Sequence, residues 1–171
     1  CPHCEFKGYK NADGEDVALF ERAKAEFEAN RETLNYPTQA IPNQGAKTKV
    51  DCDMEGHGYH YWYEMFSERQ LLCLCRLRDA IMAVADQNVR EYLLLAWSDF
   101  LSFNNVYCRY NPSAQKQQEV FATHAFNPTV TYTEPNIWGA EYGTGSYSKY
   151  SAKMMEGPRW AAATDDNYFT T

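Results

Sequence analysis

The stretch that decides the fold is FSERQLLCLCRLRDAIMAVADQNVREYLLLAWSDFLSFNNVYCRYN, from Phe66 to Asn111. Ser67 and Gln70 have the spacing of a capping box, so the sequence predicts a helix that begins at Ser67. Downstream, apolar residues recur at steps of three and four, which is the spacing of one buried helix face. Asp86 is the expected N-cap of a second helix with the same periodicity, and Pro112 ends that helix.

The two predicted helices are joined by a very short turn, so we expect them to pack as an antiparallel hairpin. A chain of 171 residues is long enough for one domain with a core and hardly long enough for two. The sequence therefore predicts a mainly α-helical single domain over residues 13–171, built on this hairpin and preceded at residues 1–12 by half of a zinc knuckle. Within the domain, the charged segment 13–32 carries a partial apolar stripe and predicts an exposed helix.

Shorter elements are expected beside the hairpin. Segments 115–124 and 146–156 predict short helices, and Pro158 is expected to stop the second of them. Segment 129–133 predicts a brief strand, and long loops rich in aromatic residues, glycine and proline separate these elements. The ring-dense segment 59–63 is interpreted as packing, with base stacking against nucleic acid as the alternative.

Charge and cysteine usage limit the classes of function. A net charge of −7 and an isoelectric point near 5.1 exclude a basic footprint over the whole surface but leave room for a local basic patch. Cys73 and Cys75 stand two apart on a helix and face different sides, so we interpret them, with Cys108, as buried thiols in a reducing, cytoplasmic compartment. No apolar run approaches the ~20 residues of a membrane span, so no membrane partner is expected.

The chain opens on the motif CPHC, in which Cys1 and Cys4 have the spacing of a zinc-ribbon knuckle. A tetrahedral zinc site needs four ligands, and no second CxxC follows. Either a second knuckle lies upstream, which we favour, or a loop completes the site with ligands from among Cys52, His57 and His60. A turn without metal is the third interpretation. Because a native chain opens with Met, we expect this one to be part of a larger protein, with its zinc site incomplete.

Three segments in order resemble the inserted region of adenine-specific DNA methylases that carry a zinc ribbon. They read FSERQLLCLCRLRDAI, REYLLLAWSDFLSFNNVYCRYN and HAFNPTVTYTEPNIWGAEYGTGSYSKY. The resemblance extends with gaps from the CPHC knuckle to about residue 157. It implies a parent enzyme that transfers a methyl group from S-adenosylmethionine to an exocyclic amino group in DNA.

The motifs that perform this chemistry in the family are absent from the chain. We find neither the glycine-rich cofactor loop FxGxG nor an Asp-Pro-Pro or Asn-Pro-Pro motif. No catalytic or cofactor-binding residue is therefore carried over, and we expect the chain alone neither to bind S-adenosylmethionine nor to methylate DNA. The expected partners are DNA and the rest of the methylase chain.

Two hypotheses of different classes follow. The first is an accessory region of a DNA methylase that holds or selects the DNA, and the second is a structural or protein-interaction module without a nucleic-acid role. A free-standing enzyme is the least favoured, because acids such as Asp79, Glu91 and Asp99 fall on helix positions that suit solvent or hydrogen bonding within the hairpin.

Candidate DNA contacts are the cations, amides and rings in and after the hairpin. Arginine grips phosphate in a bidentate manner, and aromatic side chains stack on bases. For Asn104 and Asn105 the alternative is a helix C-cap, and for Arg69 and Arg109 it is an ion pair with acids of the hairpin. The candidate residues are Arg69, Arg76, Arg78, Asn104, Asn105, Tyr107, Arg109, Tyr110, Lys116 and Trp138.

Overall fold

The computed structural model describes residues 8–42, 54–122, 132–139 and 144–168, with the backbone alone from residue 160 onward. Its described part is mainly helical, which confirms the predicted fold class. The helices are α1 (Gly14–Asn30), α2 (Glu68–Met82), α3 (Gln87–Phe100) and α4 (Tyr147–Tyr168), with short 3-10 turns at Trp62–Met65 and Leu101–Phe103. Strands β1 (Arg109–Asn111) and β2 (Lys116–Gln118) complete the order. No helix among the described residues combines the length and the apolar character that crossing a bilayer requires.

Local capping fixes where α2 and α3 begin. The Ser67 amide donates to Oε1 of Gln70 at 2.9 Å, and the Gln70 amide donates to Oγ of Ser67 at 3.2 Å, so the predicted capping box is confirmed. At the start of α3, Oδ1 of Asp86 accepts a hydrogen bond of 3.0 Å from the Val89 amide, which confirms Asp86 as the N-cap. Both helices therefore begin where sequence-local hydrogen bonds satisfy their first amides.

The chain divides into two compact units, Cys1–Arg76 and Leu77–Thr171. The boundary falls inside α2, so the helices of the predicted hairpin are shared between the units and their mutual packing stays a prediction. The first unit has a core cluster of Phe27 from α1 with Leu71 and Leu72 from α2. Half-buried residues pack on this cluster, and they are Ala23, Leu34, Tyr36, Tyr63 and Phe66.

The second unit is built on the packing of α3 against α4. Phe100, which is fully buried, lies with its ring centroid 5.6 Å from that of Tyr147 and 6.1 Å from that of Tyr150. The Tyr147 hydroxyl donates a 3.0 Å hydrogen bond to the carbonyl oxygen of Leu93. These contacts bury Ala96 and Phe100 of the apolar face predicted for α3 and leave Val89 exposed; the observed partner of α3 in this unit is α4.

Two of the shorter elements differ from the prediction. The helix expected at 115–124 is absent from the described part of that segment, residues 115–122, because Gln115 turns the chain with a φ of 49° and residues 116–118 form β2. The helix that begins at Tyr147 does not stop at Pro158 but continues through it to Tyr168. The strand predicted at 129–133 falls mostly outside the described residues, and segment 59–63 contains an isolated bridge from Tyr61 to Ala40 and the start of a 3-10 turn.

Candidate nucleic-acid interface

Strands β1 and β2 form an antiparallel hairpin directly after α3 and its 3-10 turn. In its register Arg109 lies opposite Gln118, and Asn111 lies opposite Lys116. The tip is a four-residue turn at 112–115, in which Oδ1 of Asn111 accepts a 3.0 Å hydrogen bond from the Ala114 amide. The hairpin thus ends in an Asx-type turn that is closed by a hydrogen bond between its own residues.

The register decides which side chains share a face. Residues directly opposite each other point to the same side of a sheet, as do residues two apart along a strand. Arg109, Asn111, Lys116 and Gln118 therefore share one side, which we call the ribbon face. Lys116 is exposed and the other three are half-buried, so every member keeps access to solvent. Arg109 and Lys116 are diagonal neighbours, a relation that separates Cα atoms by about 7–8 Å.

A buried amide side chain on the other side of the hairpin anchors it to the rest of the second unit. Gln117 is 8% exposed, and its Nε2 donates to the carbonyl oxygens of Phe103 at 2.6 Å and Thr133 at 3.1 Å. The Val120 amide, just beyond β2, donates to the Ser102 carbonyl oxygen at 2.9 Å. Hydrogen bonds therefore hold the hairpin to the segments before and after it. This support matters because two strands of three residues each form only a weak ladder by themselves.

Of the predicted stacking residues, Tyr110 and Trp138 are exposed. Tyr110 lies opposite Gln117 and so belongs to the side of the hairpin away from Arg109 and Lys116. Trp138 is 51% exposed in the segment before α4, where its amide donates to Oδ1 of Asn136 at 3.2 Å. Tyr110 therefore lies on the side of the hairpin opposite the ribbon face.

Three predicted DNA contacts are corrected by their burial. Asn104, Asn105 and Tyr107 are exposed by 0%, 3% and 3%, so these side chains offer no surface to a docked nucleic acid. The Asn104 Nδ2 donates to the carbonyl oxygens of Phe100 at 2.9 Å and Gly145 at 3.0 Å. The alternative held open for the two asparagines, that they cap the end of the helix, fits these bonds, and the three residues support the fold.

The Asn105 side chain binds the 3-10 turn that follows α3. Its Nδ2 donates to the carbonyl oxygens of Leu101 at 2.9 Å and Ser102 at 3.2 Å. Its Oδ1 accepts a 3.0 Å hydrogen bond from the Tyr107 amide. The segment that leads into β1 is therefore fixed by one buried amide side chain.

The predicted arginines of α2 have partners within the protein. Arg76 forms an ion pair with Glu26, and the guanidinium of Arg69 lies 5.1 Å from the ring centroid of Phe20. In the second unit, Nη1 of Arg78 lies 3.2 Å from Oδ1 of its neighbour Asp79. A cation that already has a partner contributes less to phosphate binding, which weakens the case for these three arginines of α2.

Three cysteines, Cys73, Cys75 and Cys108, lie among the described residues. Cys75 and Cys108 are buried and Cys73 is half-buried, and none of the three forms a disulfide. The Cys108 Sγ donates to the Ser102 carbonyl oxygen at 3.4 Å, and burial raises the pKa of this thiol. Cys108 is therefore a buried thiol whose protonated form is favoured, as expected of a packing residue.

No three His, Cys, Asp or Glu side chains among the described residues come close enough together to hold a metal ion. Cys1 and Cys4, the predicted zinc ligands, lie outside the described residues, as does Cys52. The zinc knuckle and its zinc ion stay predictions.

The sequence prediction missed two members of the ribbon face, Asn111 and Gln118. Asn111 was not among the candidate contacts, and Gln118 lay in a segment that was expected to be helical. Amide side chains beside two cations are the residue types that read base edges and grip phosphates. The ribbon face therefore contains both kinds of contact that a DNA-binding surface uses.

Comparisons with protein-family models, with curated proteins and with solved structures each give no match.

Proposed function

We propose that the chain is an accessory DNA-holding region of a larger S-adenosylmethionine-dependent adenine methylase, and that the ribbon face is its DNA contact. The resemblance of three ordered segments to the methylase insert supports the parent activity. The observation that carries the DNA contact is the register of the hairpin, which brings Arg109 and Lys116 to one accessible side.

Electrostatics explains why such a face would matter on this chain. The net charge of −7 repels DNA, so binding has to come from a local group of cations. Arg109 lies at the base of the hairpin and Lys116 beside its turn, so the two cations act only on phosphates that come close to this face, since salt screens charges beyond about 8 Å at physiological ionic strength. Binding is therefore weak and depends steeply on salt.

The rest of the methylase chain supplies what this chain lacks in the proposal. The cofactor loop and the Pro-Pro motif bind S-adenosylmethionine and the target amine, while Cys1 and Cys4 provide two of the four zinc ligands of the parent protein. The predicted α2–α3 hairpin supports the DNA-holding face. Calorimetric titration of the 171-residue chain with S-adenosylmethionine should show no heat of binding, and saturable binding would contradict this division of labour.

The DNA contact is tested by fluorescence anisotropy with a short labelled duplex and with the corresponding single strand. The wild-type chain should bind weakly at about 50 mM salt and lose affinity steeply towards 200 mM. The double variant Arg109→Ala with Lys116→Ala should flatten the dependence of the logarithm of affinity on the logarithm of salt by about 2, since each lost phosphate contact removes about 0.9. Its melting temperature should stay nearly unchanged.

A matched control separates the ribbon face from net charge. Lys149→Ala with Arg159→Ala removes two exposed cations of α4 and so changes the charge of the chain by the same amount. The control variant should bind DNA as the wild type does. If both double variants lose affinity equally, the assignment to the ribbon face is wrong. If the folded wild type binds neither form of DNA, the DNA-holding function is wrong.

A further inference from the structure

The two amide side chains of the ribbon face differ in what they can still bind. The Oδ1 atom of Asn111 accepts the Ala114 amide, so the acceptor end of this side chain is already engaged. Gln118 is half-buried, and its side chain forms no hydrogen bond within the part of the chain that the structure describes. Gln118 can therefore accept and donate a hydrogen bond to one ligand at the same time.

The anchoring of the hairpin directs the ribbon face away from the segments that hold it. Gln117 points to the opposite side, where its Nε2 donates to the carbonyl oxygens of Phe103 and Thr133. The turn at 112–115 is exposed along its whole length and is closed by its own hydrogen bond. A long ligand can therefore lie along the ribbon face and continue past the tip.

The size of the hairpin decides which groove of DNA it fits. Strands β1 and β2 have three residues each, so at a rise of about 3.4 Å per residue the ribbon is about 10 Å long, with its strands about 4.8 Å apart. The major groove of B-DNA is about 12 Å wide and admits a two-stranded ribbon, whereas the minor groove is about 6 Å wide. The ribbon face can therefore lie against base edges only in the major groove.

The charges around the hairpin make an uncharged contact important. Segments 107–122 and 132–139 contain two cations, Arg109 and Lys116, and two acids, Glu119 and Glu134. Their charges cancel, so attraction to phosphates that is independent of sequence is modest here. A hydrogen-bonded contact with a base edge would then supply a large share of the binding free energy.

We propose that Gln118 reads an adenine in the major groove, with its Oε1 accepting from the N6 amino group and its Nε2 donating to N7. Adenine presents this donor and acceptor side by side, whereas guanine presents two acceptors, N7 and O6, and would leave Oε1 of Gln118 facing an acceptor. The inference rests on the proposed function, because it takes the ribbon face as the DNA contact. It adds that the hairpin selects a sequence as well as holding DNA.

The probes are two short labelled duplexes of alternating A·T pairs. One contains adenine, and the other contains 7-deazaadenine, in which carbon replaces N7 and the acceptor is lost. Both duplexes carry the same phosphates, so their difference isolates the base contact. In fluorescence anisotropy at about 50 mM salt, the full chain should bind the adenine duplex about tenfold more tightly than the 7-deazaadenine duplex.

Two variants locate the contact. Gln118→Ala should bind both duplexes equally, and its salt dependence should match that of the wild type, because no phosphate contact is removed. It should also melt as the wild type does, since Gln117 still anchors the hairpin. The matched control is Gln39→Ala, which removes an exposed glutamine side chain from the first unit and should keep the tenfold preference.

The remaining outcomes separate this inference from the proposed function. Equal binding of the two duplexes by the wild type would overturn adenine reading and leave the DNA-holding function in place. A preference for adenine that survives in Gln118→Ala would assign the reading to another residue and overturn the role of Gln118. If the folded wild type binds neither duplex, the DNA-holding function fails and the inference fails with it.

Discussion

Replacing Asn105 with alanine should destabilise the protein more than replacing Asn104, although both side chains are buried. Asn105 makes three hydrogen bonds to backbone groups, two through Nδ2 and one through Oδ1. At about 1 kcal/mol for each bond, Asn105→Ala should lower the free energy of unfolding by about 3 kcal/mol, before the cost of the cavity.

Asn104→Ala should lower the free energy of unfolding by less, because only the Nδ2 end of the Asn104 amide is hydrogen-bonded. Nδ2 makes two hydrogen bonds, but Oδ1 is buried without a hydrogen-bond partner among the described residues. Burial of an unsatisfied acceptor costs about 1–3 kcal/mol, which Asn104→Ala removes together with about 2 kcal/mol of hydrogen bonding. The two terms nearly cancel. The cavity term is similar for the two variants, since the same side chain is removed, so we expect a difference of about 3 kcal/mol between them.

Urea unfolding followed by tryptophan fluorescence measures this difference. Trp97 on α3 is close in sequence to both asparagines and reports on the second unit. The slope of the unfolding free energy with urea should stay the same in both variants, which shows that the exposed surface has not changed. An Asn104→Ala variant that loses as much stability as Asn105→Ala would refute the reasoning, because the buried Oδ1 would then have a partner.

Two further predictions concern α4. Tyr147→Phe removes the hydrogen bond to Leu93, and burial raises the pKa of Tyr147 to about 12, above the value of about 10 in an unfolded chain. The wild type should therefore be more stable than this variant below about pH 10, and the difference in unfolding free energy should decline between about pH 10 and 12. Urea titrations at several pH values measure this difference, and a constant value would contradict the prediction. Pro158→Ala should stabilise the protein by up to about 3 kcal/mol and increase its helical circular dichroism, since proline interrupts the hydrogen bonding of α4; unchanged stability would mean that α4 ends before Pro158.

The parts of the fold that the sequence predicted are those fixed by neighbouring residues. Ser67, Gln70 and Asp86 form their capping hydrogen bonds within three residues, so the pattern alone located the starts of α2 and α3. The course of α4 through Pro158 was missed because packing on α3 outweighs a local helix breaker. The partner of a helix face is likewise a tertiary property, and the apolar stripe of α3 does not specify it.

The sequence predicted two of the four residues of the ribbon face but not their arrangement. Arg109 and Lys116 were identified from residue type and position in the chain. Their common face depends on the register of β1 and β2, which no apolar alternation indicates in a segment as polar as KQQ. The burial of Asn104 was not predicted, because a polar pair at a helix end suits a cap and a ligand contact equally well.

The buried amide of Gln117 also limits how the hairpin can evolve. Side chains alternate between the two sides of a strand, so moving β2 by one residue would place Lys116 or Gln118 under the carbonyl oxygens of Phe103 and Thr133. A lysine there would carry a charge into a buried site, and a shift that placed Gln118 there would turn Gln117 towards the ribbon face. Insertions in the turn at 112–115 are therefore tolerable, whereas an odd insertion or deletion within β2 would exchange the two sides and erase the ribbon face.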